Sequence, residues 1–151
     1  MSRNDQERIY SDAYFSSDGD WSTGVWKEDY LACDSELQSE VREVLGLLPC
    51  ASGRLLDIGC AGGIVLDQAR RSGYEVMGVE LNRSMAEHAR HNLSLDVIHA
   101  TVEGIPETQL NHEFDAILLL DSLEHIPQPG MVADRTSRWI APRGFPDTRS
   151  T

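Results

Sequence analysis

Apolar residues recur along this chain in two patterns. Leu37, Val41, Val44, Leu45 and Leu48 fall on one stripe of a helix that begins after Asp34 and is closed by Pro49 and Gly53. Beyond it, short apolar runs alternate with amphipathic stretches. Residues 54–59 (RLLDIG), 74–80 (YEVMGVE), 95–100 and 114–121 (FDAILLLD) predict strands. Residues 63–72 and 84–92 predict helices, the second opened by the capping-box spacing of Ser84 and Glu87. The run at 114–121 is nearly continuous, as in a strand buried on both faces of a parallel sheet. Strands alternating with helices of this length give βαβ units with right-handed crossovers. The predicted class is α/β, a doubly wound, mostly parallel sheet.

The two ends depart from this alternation. Residues 1–33 mix Asp, Ser and Gly with Tyr10, Tyr14, Phe15, Trp21, Trp26 and Tyr30, too polar for a core strand and too aromatic for a plain tail. They read as an acidic, aromatic arm that docks on the domain, with Trp21, Trp26 and Tyr30 as a lid or a cover for apolar surface. Residues 130–140 predict one more helix, anchored by Met131, Val132 and Trp139. The polar segment 143–151, preceded by Pro142 and containing Pro146, predicts no further strand. The expected organisation is thus an arm (1–33), a domain (34–142) and a tail (143–151). In this reading the sheet is incomplete at its C-terminal end and exposes an apolar edge on its fourth strand, which invites pairing with another chain.

Composition narrows the class further. A chain of 151 residues has room for one compact core. Its longest fully apolar run, residues 116–120, is far too short to span a bilayer, and the N-terminus shows no secretory or lipidation pattern, which predicts a cytoplasmic protein without a membrane partner. With 13 basic against 25 acidic residues, the net charge of -12 repels phosphate backbones. Small metabolites, not nucleic acid, are the expected partners. Cys33, Cys50 and Cys60 form neither a disulfide framework nor a zinc ligand set. His88 and His91 lie three apart on one helix without a third ligand and read as a solvated face. No metal site is expected.

Chemistry concentrates where the predicted strands end. In a doubly wound sheet the ligand sits at the carboxyl ends of the strands, where the strand order reverses. Two segments lie there, Gly59-Cys60-Ala61-Gly62-Gly63 after the first strand and Asp121 to His125 after the fourth. The glycines let the backbone approach a ligand closely, and Asp57 just before them can cap the loop. Cys60, at a helix start, reads as an activated thiol or as a small residue fitted into a tight loop. Glu80 ends the second strand 21 residues beyond Gly59, where an acid can accept hydrogen bonds from both hydroxyls of a ribose. Nicotinamide enzymes use such an acid too, but their G-x-G-x-x-G fingerprint would need glycine at 61 and 64, where this chain has Ala61 and Ile64.

These residues resemble the class I S-adenosylmethionine-dependent methyltransferases, particularly the group similar to the ubiquinone-biosynthesis O-methyltransferases. Leu55-Leu56-Asp57-Ile58-Gly59-Cys60-Ala61-Gly62-Gly63 is similar to that family's first motif, with Ala61 in place of the usual middle glycine. Val79-Glu80 resembles the ribose-binding end of its second strand. Thr101-Val102-Glu103-Gly104-Ile105-Pro106 resembles its adenine-contacting segment, with Thr101 where Asp is frequent. Residues 114–118 and Asp121-Ser122-Leu123-Glu124-His125-Ile126-Pro127-Gln128-Pro129 match its fourth strand and the turn after it.

The resemblance covers about residues 34–142 and implies a Rossmann-like methyltransferase fold with S-adenosyl-L-methionine as cofactor. It implies cofactor contacts at Asp57, Gly59, Cys60, Ala61, Gly62, Gly63, Glu80, Leu81, Thr101, Val102, Glu103 and Asp121. It also implies a seven-stranded sheet whose fifth to seventh strands help build the acceptor pocket. His125, the one histidine at the predicted cleft, is a candidate general base toward a hydroxyl acceptor, or else packs and caps the turn. The expected function is methyl transfer to a small acceptor, with oxygen favoured. The alternative is a truncated, catalytically silent module that binds the cofactor or is completed by a partner. No stretch of the chain reads as an acceptor-specific pocket.

Overall fold

A computed structural model of the chain describes residues 35–48, 51–110, 114–120, 126 and 128–141. Helix α1 (Ser35–Gly46) leads into β1 (Gly53–Ile58), α2 (Ile64–Arg71), β2 (Tyr74–Glu80), α3 (Arg83–Asn92) and β3 (Val97–His99). Two short 3-10 turns, Val102–Gly104 and Glu107–Leu110, lead to β4 (Ala116–Leu118) and α4 (Pro129–Trp139). The strands form one sheet in the order β3-β2-β1-β4, every pair parallel. The chain steps outward from β1 to β3 and then returns past β1 to lay down β4, so the order reverses at β1 as expected.

Alternation along the strands divides the core in two. Leu55, Ala116 and Leu118 face one side, where Leu66 and Ala69 of α2 and Ala86 and Ala89 of α3 pack with them, and α1 contributes Val44 and Leu45. Leu56, Ile58 and Val79 face the other side, against Val102, Ile105, Val132 and Trp139. Leu55 and Leu56 are both fully buried, and each such side chain contributes about 1.5–3 kcal/mol. The stripe predicted for α1 packs as read at Val41, Val44, Leu45 and Leu48, while the Leu37 side chain lies outside the described residues. No helix among the described residues is long and apolar enough to cross a membrane.

Three details differ from the sequence reading. The α3 helix is not opened by Ser84 and Glu87. Asn82 is its N-cap, with Oδ1 accepting from the Met85 amide at 3.0 Å, while the Ser84 hydroxyl donates to the same oxygen and Glu87 pairs with Arg83. The run at 114–121 pairs over only three residues, because the chain bends at Asp115. There the carboxylate accepts the Arg54 amide at 2.8 Å, and Phe114 ends up on the same face as Ile117. The helix predicted to reach Ile140 stops at Trp139, and Ile140 instead makes a parallel bridge to Phe114. The Phe114 amide donates to the Trp139 carbonyl and the Ala141 amide to the Phe114 carbonyl, so the outer edge of the sheet is occupied at that point. The arm 1–33 and the tail 143–151 lie outside the described residues.

Candidate functional site

At the carboxyl end of β1 the chain makes a tight turn back into α2. Gly59 and Gly63 have φ of 80° and 85°, and between them Ala61 also takes a positive φ of 45°. Left-handed backbone is costly for a residue with a β-carbon unless its surroundings hold it there. Here the hold is visible: the Ala61 amide donates to Glu80 Oε2 at 2.7 Å, and the Gly59 amide donates to the Val79 carbonyl at 2.8 Å. A side chain at Gly63 would collide with Leu95 of the β3 approach and Ala89 of α3, which accounts for glycine there.

Glu80 organises the other half of the site. Its Oε1 accepts the Asn82 amide at 2.6 Å, so its two oxygens bind the loop after β1 on one side and the start of α3 on the other. The carboxylate has four acceptor directions in all, and the amides of Asn82, Ala61 and Leu81 take three of them, which leaves Glu80 able to accept a further donor such as a hydroxyl. Burial raises the Glu80 carboxyl above its usual range, and the amides of Asn82, Ala61 and Leu81, with the His99 ring, limit that rise. His99 is in turn held by the Leu81 carbonyl, 2.9 Å from Nε2.

Asp57 projects from the same face of the sheet as Glu80, since it pairs with Gly78 two residues before that acid. Burial, and secondarily the Glu80 charge, push its carboxyl up to about 7. A buried pair of acids at the mouth of a turn favours a cation beside it.

Cys60 corrects one sequence alternative. Its thiol is turned into the core, where a β-carbon on Gly78 would lie 2.6 Å from the sulfur. Burial first, then the charges of Asp57 and Glu80, push the thiol well above its usual range, so proximity to a helix start does not activate it. Only the backbone of Cys60 remains for a ligand.

The next connection brings in residues 101–105. The backbone continues the β3–β2 pairing as the Ala100 amide donates to the Glu80 carbonyl at 3.1 Å, which carries Thr101 to the edge of the same site. Thr101 Oγ1 accepts the Gly104 amide at 3.1 Å and caps the first 3-10 turn, while the Val102 side chain is buried in the second core. Asp57, the 59–63 loop, Glu80, Leu81 and Thr101 to Glu103 therefore converge on one end of the sheet; Asp121 and His125 lie outside the described residues. Among the described residues no cluster of three or more His, Cys, Asp or Glu could hold a metal ion.

Arg135 escaped the sequence reading. From α4 it reaches the carbonyls of Glu103, at 3.3 Å, and of Ile105, and its guanidinium lies over Trp139. One of two arginines on a helix of ordinary polarity carries no sequence signal for such a tertiary contact.

Residues 31–145 match the family model described as a methyltransferase domain. Over 131 residues the chain is 30% identical to the ubiquinone biosynthesis O-methyltransferase of Psychrobacter cryohalolentis, covering 82% of this chain and 48% of that protein. The chain spans about half the length of the curated relatives it matches. Among solved structures, an S-adenosylmethionine-dependent methyltransferase from Thermotoga maritima is 27% identical with a TM-score of 0.61, over 76% of this chain and 51% of that one. The fold is also shared with an amino pentose methyltransferase from Micromonospora echinaspora, at 24% identity and a TM-score of 0.63, over 78% of this chain and 52% of that one. A reversing parallel sheet, a glycine-lined turn after β1 and an acid closing β2 thus coincide with a family match over most of the sequence, and the chain belongs to the class I S-adenosylmethionine-dependent methyltransferases.

Proposed function

We propose that the chain binds S-adenosyl-L-methionine at the carboxyl ends of β1 and β2 and supports transfer of its methyl group to a small-molecule acceptor, an oxygen atom by preference. The observation that carries the reading is Glu80, buried yet with acceptor capacity left, and linked through the Ala61 amide to the loop after β1 and through the Asn82 amide to the start of α3. In this reading Glu80 takes the ribose hydroxyls, and the backbone of residues 59–63 together with Asp57 receives the methionine end. Thr101, Val102 and Glu103 flank the adenine. The charge arrangement fits, because two buried acids favour a ligand carrying a sulfonium and an ammonium.

When bound, the cofactor supplies an already activated methyl electrophile, so little acid or base chemistry is asked of the protein at that centre. The chain's own work is to orient and exclude water, and orientation can supply several kcal/mol of the barrier. From the sequence, His125 is the candidate base for a hydroxyl proton on the acceptor side, and Asp121 is a further candidate cofactor contact. The O-methyltransferase named among the relatives supports oxygen as the accepting atom.

Calorimetric titration with S-adenosylhomocysteine tests the reading. The wild type is expected to bind with a micromolar constant, and Glu80→Ala to weaken it at least tenfold while circular dichroism stays unchanged. A folded wild type that binds neither this ligand nor S-adenosylmethionine overturns the proposal. NAD serves as the negative control, consistent with Ala61 and Ile64.

A further inference from the structure

Arg135 sits on α4, a helix that none of the cofactor contacts uses. Its NH1 donates to the Glu103 carbonyl at 3.3 Å and its NH2 to the Ile105 carbonyl, two acceptors of one short segment. The guanidinium plane lies 5.7 Å from the Trp139 ring centroid, and Trp139 is itself anchored to the sheet through its carbonyl and the Phe114 amide. The remaining guanidinium nitrogen, Nε, is buried without a hydrogen-bond partner. A guanidinium kept at the cost of a buried, unpaired donor is held for what its other two nitrogens do.

What they do is fix a segment with little regular structure of its own. Between β3 and β4 the backbone is held by two short 3-10 turns, and the Gly104 and Ile105 amides donate locally, Gly104 to the Thr101 carbonyl and hydroxyl and Ile105 to the Val102 carbonyl. Arg135 supplies two donors from outside, to the carbonyls of Ile105 and Glu103, across sequence separations of 30 and 32 residues. We propose that Arg135 is a positioning residue that clamps residues 103–105 and thereby sets selectivity for the purine of the cofactor. This rests on the reading that Thr101 to Glu103 flank the adenine. A base edge is distinguished by hydrogen bonds whose donors and acceptors must hold their places, so a loosened segment loses discrimination before it loses affinity for the rest of the ligand.

The test compares wild type, Arg135→Met and Arg135→Lys by titration with S-adenosylhomocysteine and with its inosine analogue, in which the purine edge reverses a donor and an acceptor. Amide hydrogen exchange at Gly104 and Ile105 is measured alongside. Arg135→Met is expected to weaken the adenosine ligand about tenfold, the scale of one charge-assisted hydrogen bond, and the inosine analogue by less than about twofold. The ratio between the two ligands collapses, exchange at both amides accelerates, and Arg135→Lys falls between. Equal weakening of both ligands, or unchanged binding with a lower melting temperature, overturns the proposal and leaves a structural arginine. If Arg135→Met fails to fold, the lysine variant carries the same comparison, since it keeps the charge but not the fork. A wild type that binds neither ligand removes the adenine reading and the selectivity with it; unchanged exchange in the variants then removes the clamp as well.

Discussion

Asp57 and Glu80 show how adjacent strands can load one face with charge that the fold alone does not neutralise. Both carboxyls are raised, chiefly by burial, Asp57 to about 7. A carboxyl whose folded value exceeds its unfolded one binds more protons in the native state, so its contribution to stability is fully present below about pH 4 and is lost as pH rises through about 7. In the pH 5 to 8 window the unligated chain should therefore lose resistance to urea as pH rises, and Asp57→Asn should flatten that dependence. Denaturant midpoints at fixed ionic strength check it. A cationic ligand favours the ionised form, so binding should strengthen over the same interval and release protons, which calorimetry in buffers of different ionisation enthalpy would read.

Among the elements, those carried by local pattern were legible and those set by distant partners were not. The register of β1 on β2 follows from two apolar runs of matched length, and the α1 stripe from its spacing. The cap of α3 is not legible locally, because Ser84 and Glu87 show the capping-box spacing, whereas Asn82, with Met85 and no acid three residues on, caps through its own side-chain oxygen. Asn82→Ala should cost about 0.5–2 kcal/mol, and Ser84→Ala much less, in chemical denaturation. Because the Asn82 amide also holds Glu80, the measurement should be paired with ligand titration; the alanine keeps that amide and should retain binding. The phase change at Asp115 and the bridge at Ile140 depend on the Arg54 amide and on Phe114, partners that no local window contains. Within the site, Glu80 and the glycine turn were legible from spacing, whereas the inward turn of Cys60 depends on Gly78 of the neighbouring strand, and Arg135 on carbonyls 30 and 32 residues away in sequence.

For the molecule as a whole, a net charge of -12 on 151 residues sets a background of self-repulsion that every local interaction works against. The surface pairs found, such as Arg70 and Arg71 on Asp67 and Arg138 on Asp134, engage only part of that acid excess. Screening should therefore help more than it harms. Raising sodium chloride from about 0.01 to 0.3 M, which shortens the Debye length from about 30 Å to well under 10 Å, should raise the melting temperature by a few degrees. A fall in scanning calorimetry would mean that the ion pairs outweigh the repulsion.

The division of the core by the sheet has a practical corollary. Leu55 and Leu56 are neighbours in sequence and equally buried, yet they address different halves of the molecule. A volume change at Leu55 is transmitted beneath α2 and α3, toward the glycine turn and Asn82. One at Leu56 is transmitted toward Val102, Ile105 and Trp139, and so toward the segment that Arg135 grips. If the cofactor lies as proposed, two adjacent codons act as separate levers on its two ends.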